Sequence, residues 1–134
     1  MADLTITAAN VAKTSGVTAD AVAGGTITQG MAIYIDTADL AQISHCETSA
    51  VTAVVDGIAL NAASSGQPIQ YLKANGVINL GATLAVGTVY VLSTAGLIAP
   101  VADLATADYT TTIGTATTTA LLTLSLDASG VQVP

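Results

Sequence analysis

The sequence predicts an all-β protein, a compact β-sandwich or β-barrel with an extended N-terminal arm, and three observations predict it. Short runs rich in Val, Ile, Thr and Tyr are separated by clusters of Gly, Ser, Asn and Asp along the whole chain. Within several runs apolar and polar residues alternate with the period of two that a half-buried strand requires. Alanine is abundant, but it stands beside Thr, Gly and Val and does not recur with Leu, Glu and Lys every three or four residues. Helix therefore has little support.

The elements follow in order. Leu4 and Ile6 alternate with Thr5 and Thr7, which reads as a first strand within an N-terminal arm over residues 1–20. Residues 21–134 then form a single β domain. Met31, Ile33 and Ile35 alternate with Ala32, Tyr34 and Asp36. Val51 to Leu60 is a longer apolar run broken by Asp56-Gly57, read as a bulge or sharp bend. Ile69 to Lys73 and Val77 to Leu80 flank Asn75-Gly76, the pair preferred in two-residue type I′ hairpins, so a turn is expected there. Val89 to Leu92 leads into the turn Ser93-Thr94-Ala95-Gly96. Val101 to Tyr109, where Asp103 and Asp108 bracket alanines, is expected to be a loop, with a short helix as the alternative. The clearest strand sets Leu122, Leu124 and Leu126 against Leu121, Thr123, Ser125 and Asp127, closed by Ala128-Ser129-Gly130.

An internal repeat is also written in the chain. A shift of 57 positions brings Gly24, Thr26, Gly30, Thr37, Ala38 and Leu40 onto Gly81, Thr83, Gly87, Thr94, Ala95 and Leu97, and Gly57 onto Gly114. Two readings stand open. The matches are chance in a sequence rich in Ala, Thr and Gly, or 24–79 and 81–134 are two related strand-turn-strand units.

Composition narrows the function. At 134 residues the chain is long enough for one domain with a real core. Charged residues make up 8%, far below the ~25% of an ordinary soluble domain. There is no Phe and no Trp, and four tyrosines are the only aromatics. A core of Val, Ile, Leu and Ala buries less area per residue than one with aromatic anchors, so association with partners is expected to bury more. Lys13 and Lys73 are the only basic residues, there is no Arg, and the net charge is -7. Two lysines cannot displace the counterions of a phosphate backbone, which excludes direct nucleic-acid binding and disfavours anionic membranes. No apolar run approaches the ~18 residues of a membrane span. The N-terminus lacks the basic and hydrophobic regions of a signal peptide, so the chain is expected in a cytoplasm until it is assembled.

Reactive residues are scattered. His45-Cys46-Glu47 is the one place where three reactive types meet, but neighbours in a strand face opposite ways. No further His or Cys exists to complete a zinc site or a nucleophile-base pair. Cys46 is alone, so a reduced, buried thiol is expected. Asp36 and Asp39 sit in a turn and are expected to cap it; calcium would need six to eight oxygens. No phosphate-binding glycine motif and no nucleophile elbow is present. The chain reads as non-enzymatic, with no catalytic residue, no cofactor and no metal. Tyr34 and Tyr71 are the aromatic candidates for an interface, the alternative being that they finish the edge of the core.

Gly30-Met31-Ala32-Ile33-Tyr34-Ile35-Asp36, Val55-Asp56-Gly57-Ile58-Ala59-Leu60 and Gly66-Gln67-Pro68 form one familiar group of motifs. Gly81-Ala82-Thr83-Leu84, Gly87-Thr88-Val89-Tyr90-Val91-Leu92 and Ile98-Ala99-Pro100 form another, with Ala2-Asp3-Leu4-Thr5-Ile6 at the start. Together they resemble the small Ala/Thr/Gly-rich head decoration (capsid cement) proteins of tailed bacteriophages. The resemblance covers most of the chain and rests on turns and strands. It implies a β-rich homo-oligomer, usually a trimer, made in the host cytoplasm and placed on the outer surface of the head, where it bridges major capsid proteins. The Thr-rich N-terminal strand and the scarce aromatics themselves put the expected interface on an arm formed by Ala2, Asp3, Leu4, Thr5, Ile6 and Thr7, joined by Tyr34 and Tyr71. The rival readings are another virion part (tail tube, fibre or spike) and a small-ligand or calcium-binding β module. If the arm acts by β-augmentation, deleting residues 2 to 9 abolishes head binding while the domain stays folded, as measured by co-sedimentation with heads and by circular dichroism.

Overall fold

A computed structural model describes residues 3–47 and 49–133, with the backbone alone at positions 74 and 75. The fold is all-β, as expected. Its strands are β1 (Ala12–Ala23), β2 (Ala32–Ile35), β3 (Leu40–Ile43), β4 (Gly57–Ala59), β5 (Pro68–Asn79), β6 (Val89–Leu92), β7 (Ile98–Pro100), β8 (Tyr109–Ala116) and β9 (Leu121–Gln132). They form one nine-stranded sheet in the order β1-β3-β2-β4-β5-β9-β8-β6-β7, and β1 also pairs with β5. That extra pairing closes the first five strands into a ring, so the first part of the domain is a small barrel. All pairs are antiparallel except β1 with β3, which run parallel at Val22–Leu40 and Ala23–Ala41. Among the described residues no helix is long and apolar enough to cross a membrane.

The barrel explains the alanines. Ala23, Ile33, Ala41, Ala59, Ile69 and Tyr71 form one buried cluster, with Ala19, Ala21, Ile35 and Ile43 packed against it, so each of the five strands contributes. A ring of only five strands has a narrow bore, and alanines let opposing strands approach while the isoleucines fill the centre. The Gly24 N–H donates to Ala41 O (2.8 Å) and the Ala23 N–H to Gln67 O (2.8 Å), sealing one end. Ala32, Ile58 and Leu72, the sequence neighbours of inward-facing residues, point the other way into a second cluster. The pairs Ala32-Ile33, Ile58-Ala59 and Tyr71-Leu72 are thus buried on both faces of the sheet, while Gln70 and Lys73 of β5 stay exposed.

The second half repeats this arrangement. Ile33 pairs with Ile43 and Ile35 with Ala41 in the first half; Tyr90 pairs with Pro100 and Leu92 with Ile98 in the second, each partner 57 positions on. The pairs Ala32–Ile58 and Ile33–Gly57 recur as Val89–Thr115 and Tyr90–Gly114 at the same shift. Bonds outside the ladders recur as well. Gly30 N–H donates to Ala59 O (2.9 Å) and Gly87 N–H to Ala116 O (2.8 Å); Asp36 N–H donates to Leu40 O (3.0 Å) and Ser93 N–H to Leu97 O (2.7 Å). Strands β2 to β5 and β6 to β9 thus share a register at the 57-residue shift along β2–β4 and β6–β8. Gly57 and Gly114 share a physical reason. A Cβ on Gly57 would lie 2.4 Å from Leu72 O, and one on Gly114 would lie 2.2 Å from Thr123 O. Only glycine lets the neighbouring strand come so close.

The units differ where they close. Tyr71 sits between Ala59 and Ala19 on its neighbouring strands, whereas its counterpart Leu122 sits between Ala116 and Ile78. The end of β5 therefore does for the second unit what β1 does for the first. Ala41 is replaced by Ile98, Ile78 and Ile98 both lie in the second core, and β5 does not pair with β7. The N-terminal segment fills the opening: Leu4 N–H donates to Ile98 O (2.8 Å), the bond that Gly24 makes to Ala41 in the barrel, and Thr7 N–H donates to Gly81 O (2.9 Å).

Several expectations are corrected. Leu4 to Thr7 is extended but is no strand; the ladder begins at Ala12, after a short 3-10 turn at Ala8–Asn10. Its alternation buries Leu4 and Ile6 against the second core without a strand partner along its length. Asn75-Gly76 is no hairpin turn, because β5 runs straight through it. A type I′ turn needs positive φ, which Gly76 does not have. A Cβ on Gly76 would lie 2.4 Å from Ser15 O and 3.0 Å from Gly16 Cα. This glycine serves a close crossing of β1 and β5, where their register slips between Lys13 and Thr18. Residues 101–108 form the expected loop, with a single 3-10 turn at Val101–Asp103, and Tyr109 opens β8.

Gly57→Ala and Gly114→Ala are each expected to lower stability by roughly 2–3 kcal/mol in urea unfolding, because the added methyl meets backbone. Gly66→Ala, with φ of 86° but open space around its Cβ, is expected to cost about 1 kcal/mol, the left-handed penalty alone.

Candidate functional site

The arm is built into the body. Leu4 and Ile6 are half-buried against the second core, and Thr5 and Thr7 face solvent. The Asp3 carboxylate accepts a hydrogen bond from the hydroxyl of Ser93, which is fully buried in the β6–β7 connection. Thr5 and Thr7 line a polar depression of about 460 Å³ together with Asn10, Asn79, Gly81, Ala82 and Thr83. Ala2 lies outside the described residues. Of the six arm candidates, Thr5 and Thr7 are the outward-facing ones. Deleting residues 2 to 9 thus removes core packing as well as any contact, and a folded domain after deletion is no longer the expectation.

The two tyrosine candidates separate. Tyr34 on β2 is half-buried and lines an apolar depression of about 330 Å³ with Ile35, Asp36, Thr37, Val51 and Val54. Val51 at its rim is 70% exposed, among the largest such values in the chain. Tyr71 is only 7% exposed and faces the barrel bore. Burial, and after it the carboxylates of Asp56 and Asp20, push its phenol above the ordinary value. In this chain Tyr71 is a core residue and offers no contact surface. The sequence could not separate the two, since both lie in strands and only the barrel's closure decides which face is inside.

The reactive residues serve the fold. The His45 ring Nδ1 accepts the Ala95 N–H (3.2 Å), Cys46 is fully buried and Glu47 is exposed. Burial, with the nearby Asp108 carboxylate next in weight, pushes the Cys46 thiol up to about 11. Cys46 also ties the halves together: its N–H donates to Ser93 O (3.3 Å) and its carbonyl accepts from Tyr109 N–H (2.6 Å). Asp36 does what a turn aspartate does. It accepts Gln42 Nε2 (2.9 Å), Leu40 N–H (3.0 Å) and Ala38 N–H (2.9 Å), which lower its pKa against a small opposing burial effect. Its carboxylate oxygens are taken up by these bonds, and Asp39 is exposed in a left-handed conformation with φ of 62°. Among the described residues no three His, Cys, Asp or Glu side chains converge as a metal site.

Two open strand edges complete the picture, and no local sequence signal marks them. On its side away from β8, β9 pairs with β5 only from Leu121 to Thr123. From Leu124 onward that edge has no partner among the described residues. The outer edge of β1 meets β3 only at Val22 and Ala23. Residues 12–17 and 127–132 are exposed throughout.

No protein-family model matches the chain, and none of the curated proteins matches it.

The pH dependence follows from three shifted groups, Cys46 and Tyr71 on the alkaline side and Asp36 on the acid side. Cys46 is raised from 9.0 to about 11, so its contribution to stability is whole below pH 9 and is lost as the pH rises towards about 11, where the unfolded chain ionises first. Asp36 is lowered from 3.8, so its contribution is present above that pH and fades below it. Urea unfolding across pH is expected to show both limbs. Cys46→Ala should shrink the alkaline one and leave the part that comes from the raised Tyr71 phenol, and native Cys46 should resist a thiol reagent that labels it freely in urea.

Proposed function

We propose that this chain is a head decoration protein of a tailed bacteriophage, binding the outer surface of the head and bridging neighbouring major capsid proteins to stabilise the mature shell. The observation that carries the reading is the resemblance of its glycine-bounded strand motifs to that family. Those motifs are the segments that set the repeated register: Gly30 to Asp36 carries β2, Val55 to Leu60 carries β4, and Gly87 to Leu92 carries β6.

The charge supports the outer location. With Lys13 and Lys73 as its only cations and a net charge of -7, the protein is repelled by packaged DNA and suits a basic patch on the shell. Its low content of long charged side chains limits the entropy lost when a surface is ordered against a partner. Binding of this kind needs shape, hydrogen-bonding edges and complementary charge, and no chemistry. The protein is made in the bacterial cytoplasm and acts as a homo-oligomer, with a trimer favoured, on the virion.

Electron microscopy of particles from the source is expected to place the chain on the head exterior; density on the tail would overturn the proposal. Heads stripped of the protein should lose their contents at a lower temperature and recover on adding it back. Because opposite charges attract across the contact, binding should weaken as salt is raised through the range where the Debye length falls from ~10 to ~3 Å.

A further inference from the structure

We propose that two copies of this chain join head to tail by strand addition, the outer edge of β1 in one copy pairing with the open second half of β9 in the next. The internal repeat supplies the argument. In the first unit, β5 carries a partner strand along its length, from Ala12–Asn79 to Val22–Pro68 with β1. In the second unit the equivalent strand, β9, has that side covered over Leu121–Thr123 alone, because β5 turns away into the barrel. A strand position filled in one unit is therefore open in its copy.

What fills it is argued from the edges. β9 beyond Leu126 is exposed on both faces and continues as a two-stranded ribbon with the start of β8, with Val131 64% exposed. Such a ribbon is marginal in water without a further strand. The half of β1 from Ala12 to Val17 is likewise exposed, with Val17 at 58%, and its outer edge is unpaired up to Ala21 among the described residues. The charges match. This half of β1 carries Lys13, one of two cations in the protein, and the open half of β9 carries Asp127. Two β9 edges facing each other would oppose like charges; β1 against β9 opposes unlike ones. Because the contact uses different surfaces on the two copies, it repeats until a ring closes or a filament grows. It is independent of what the assembly binds.

Sedimentation velocity on the full chain tests it. The protein is expected to sediment as an oligomer. Lys13→Glu and Asp127→Lys should each release monomers, and the double variant should reassemble. An equimolar mixture of the two single variants should also reassemble, because each supplies the edge the other lacks. Val131→Lys, a charge placed on the edge itself, is the second blocking variant. All three positions are exposed, so circular dichroism should show unchanged folding. A protein monomeric at every concentration overturns the proposal. So does an oligomer that dissociates with Asp127→Lys but not with Lys13→Glu, which would mark a β9–β9 pair, or a double variant that stays monomeric.

Discussion

Strand β5 is the member on which both halves of the domain depend. From Pro68 to Asn79 it pairs with β1, its Leu72 and Tyr71 pair with β4, and its last three residues pair with β9 as well. One strand therefore closes the barrel and opens the second sheet. Its side chains are divided accordingly, Ile69 and Tyr71 into the bore and Leu72 and Ile78 into the other cluster. With no Phe or Trp in the chain, neither cluster could be large by itself. Sharing a strand lets two aliphatic cores be walled by the same backbone, which keeps its polar groups paired in the ladders on either side.

The two units differ in side-chain volume where they close. Alanine stands at 19 and 41 in the ring; isoleucine stands at the matching places 78 and 98, where β5 does not pair with β7. The N-terminal segment lies at that opening, with Leu4 and Ile6 as its apolar contribution and Asp3 on buried Ser93 as its polar one. An arm that fills its own core is a different device from a free tentacle. Its outward threonines face solvent, while its inward residues tie the segment to the second unit.

The remaining polar groups hold the halves together. The β3–β4 connection carries Ser44, His45 and Cys46 across to the β6–β7 turn, where Gly96 N–H donates to Ser44 O (2.7 Å). Residues that look like chemistry in the sequence are used for backbone pairing and turn capping. Of the acidic groups, Asp20, Asp39, Glu47 and Asp127 are exposed, and Asp108 alone is buried.

The all-β class was legible from the sequence, because strand periodicity and the lack of helical spacing are local properties of the chain. The shift of 57 was visible too, since turn glycines such as Gly57 and Gly114 recur at fixed intervals; what it could not show was whether the matches meant a shared register. The role of Asn75-Gly76 was misread, because a glycine needed for close approach to Gly16 looks the same in sequence as one needed for a turn. The arm's destination was hidden as well: Leu4 and Thr7 find their hydrogen-bond partners about 94 and 74 residues away, at Ile98 and Gly81. Which tyrosine is buried and which strand edges stay open were decided only by closure of the barrel. Closure is a long-range pairing of β1 with β5, and no local pattern encodes it.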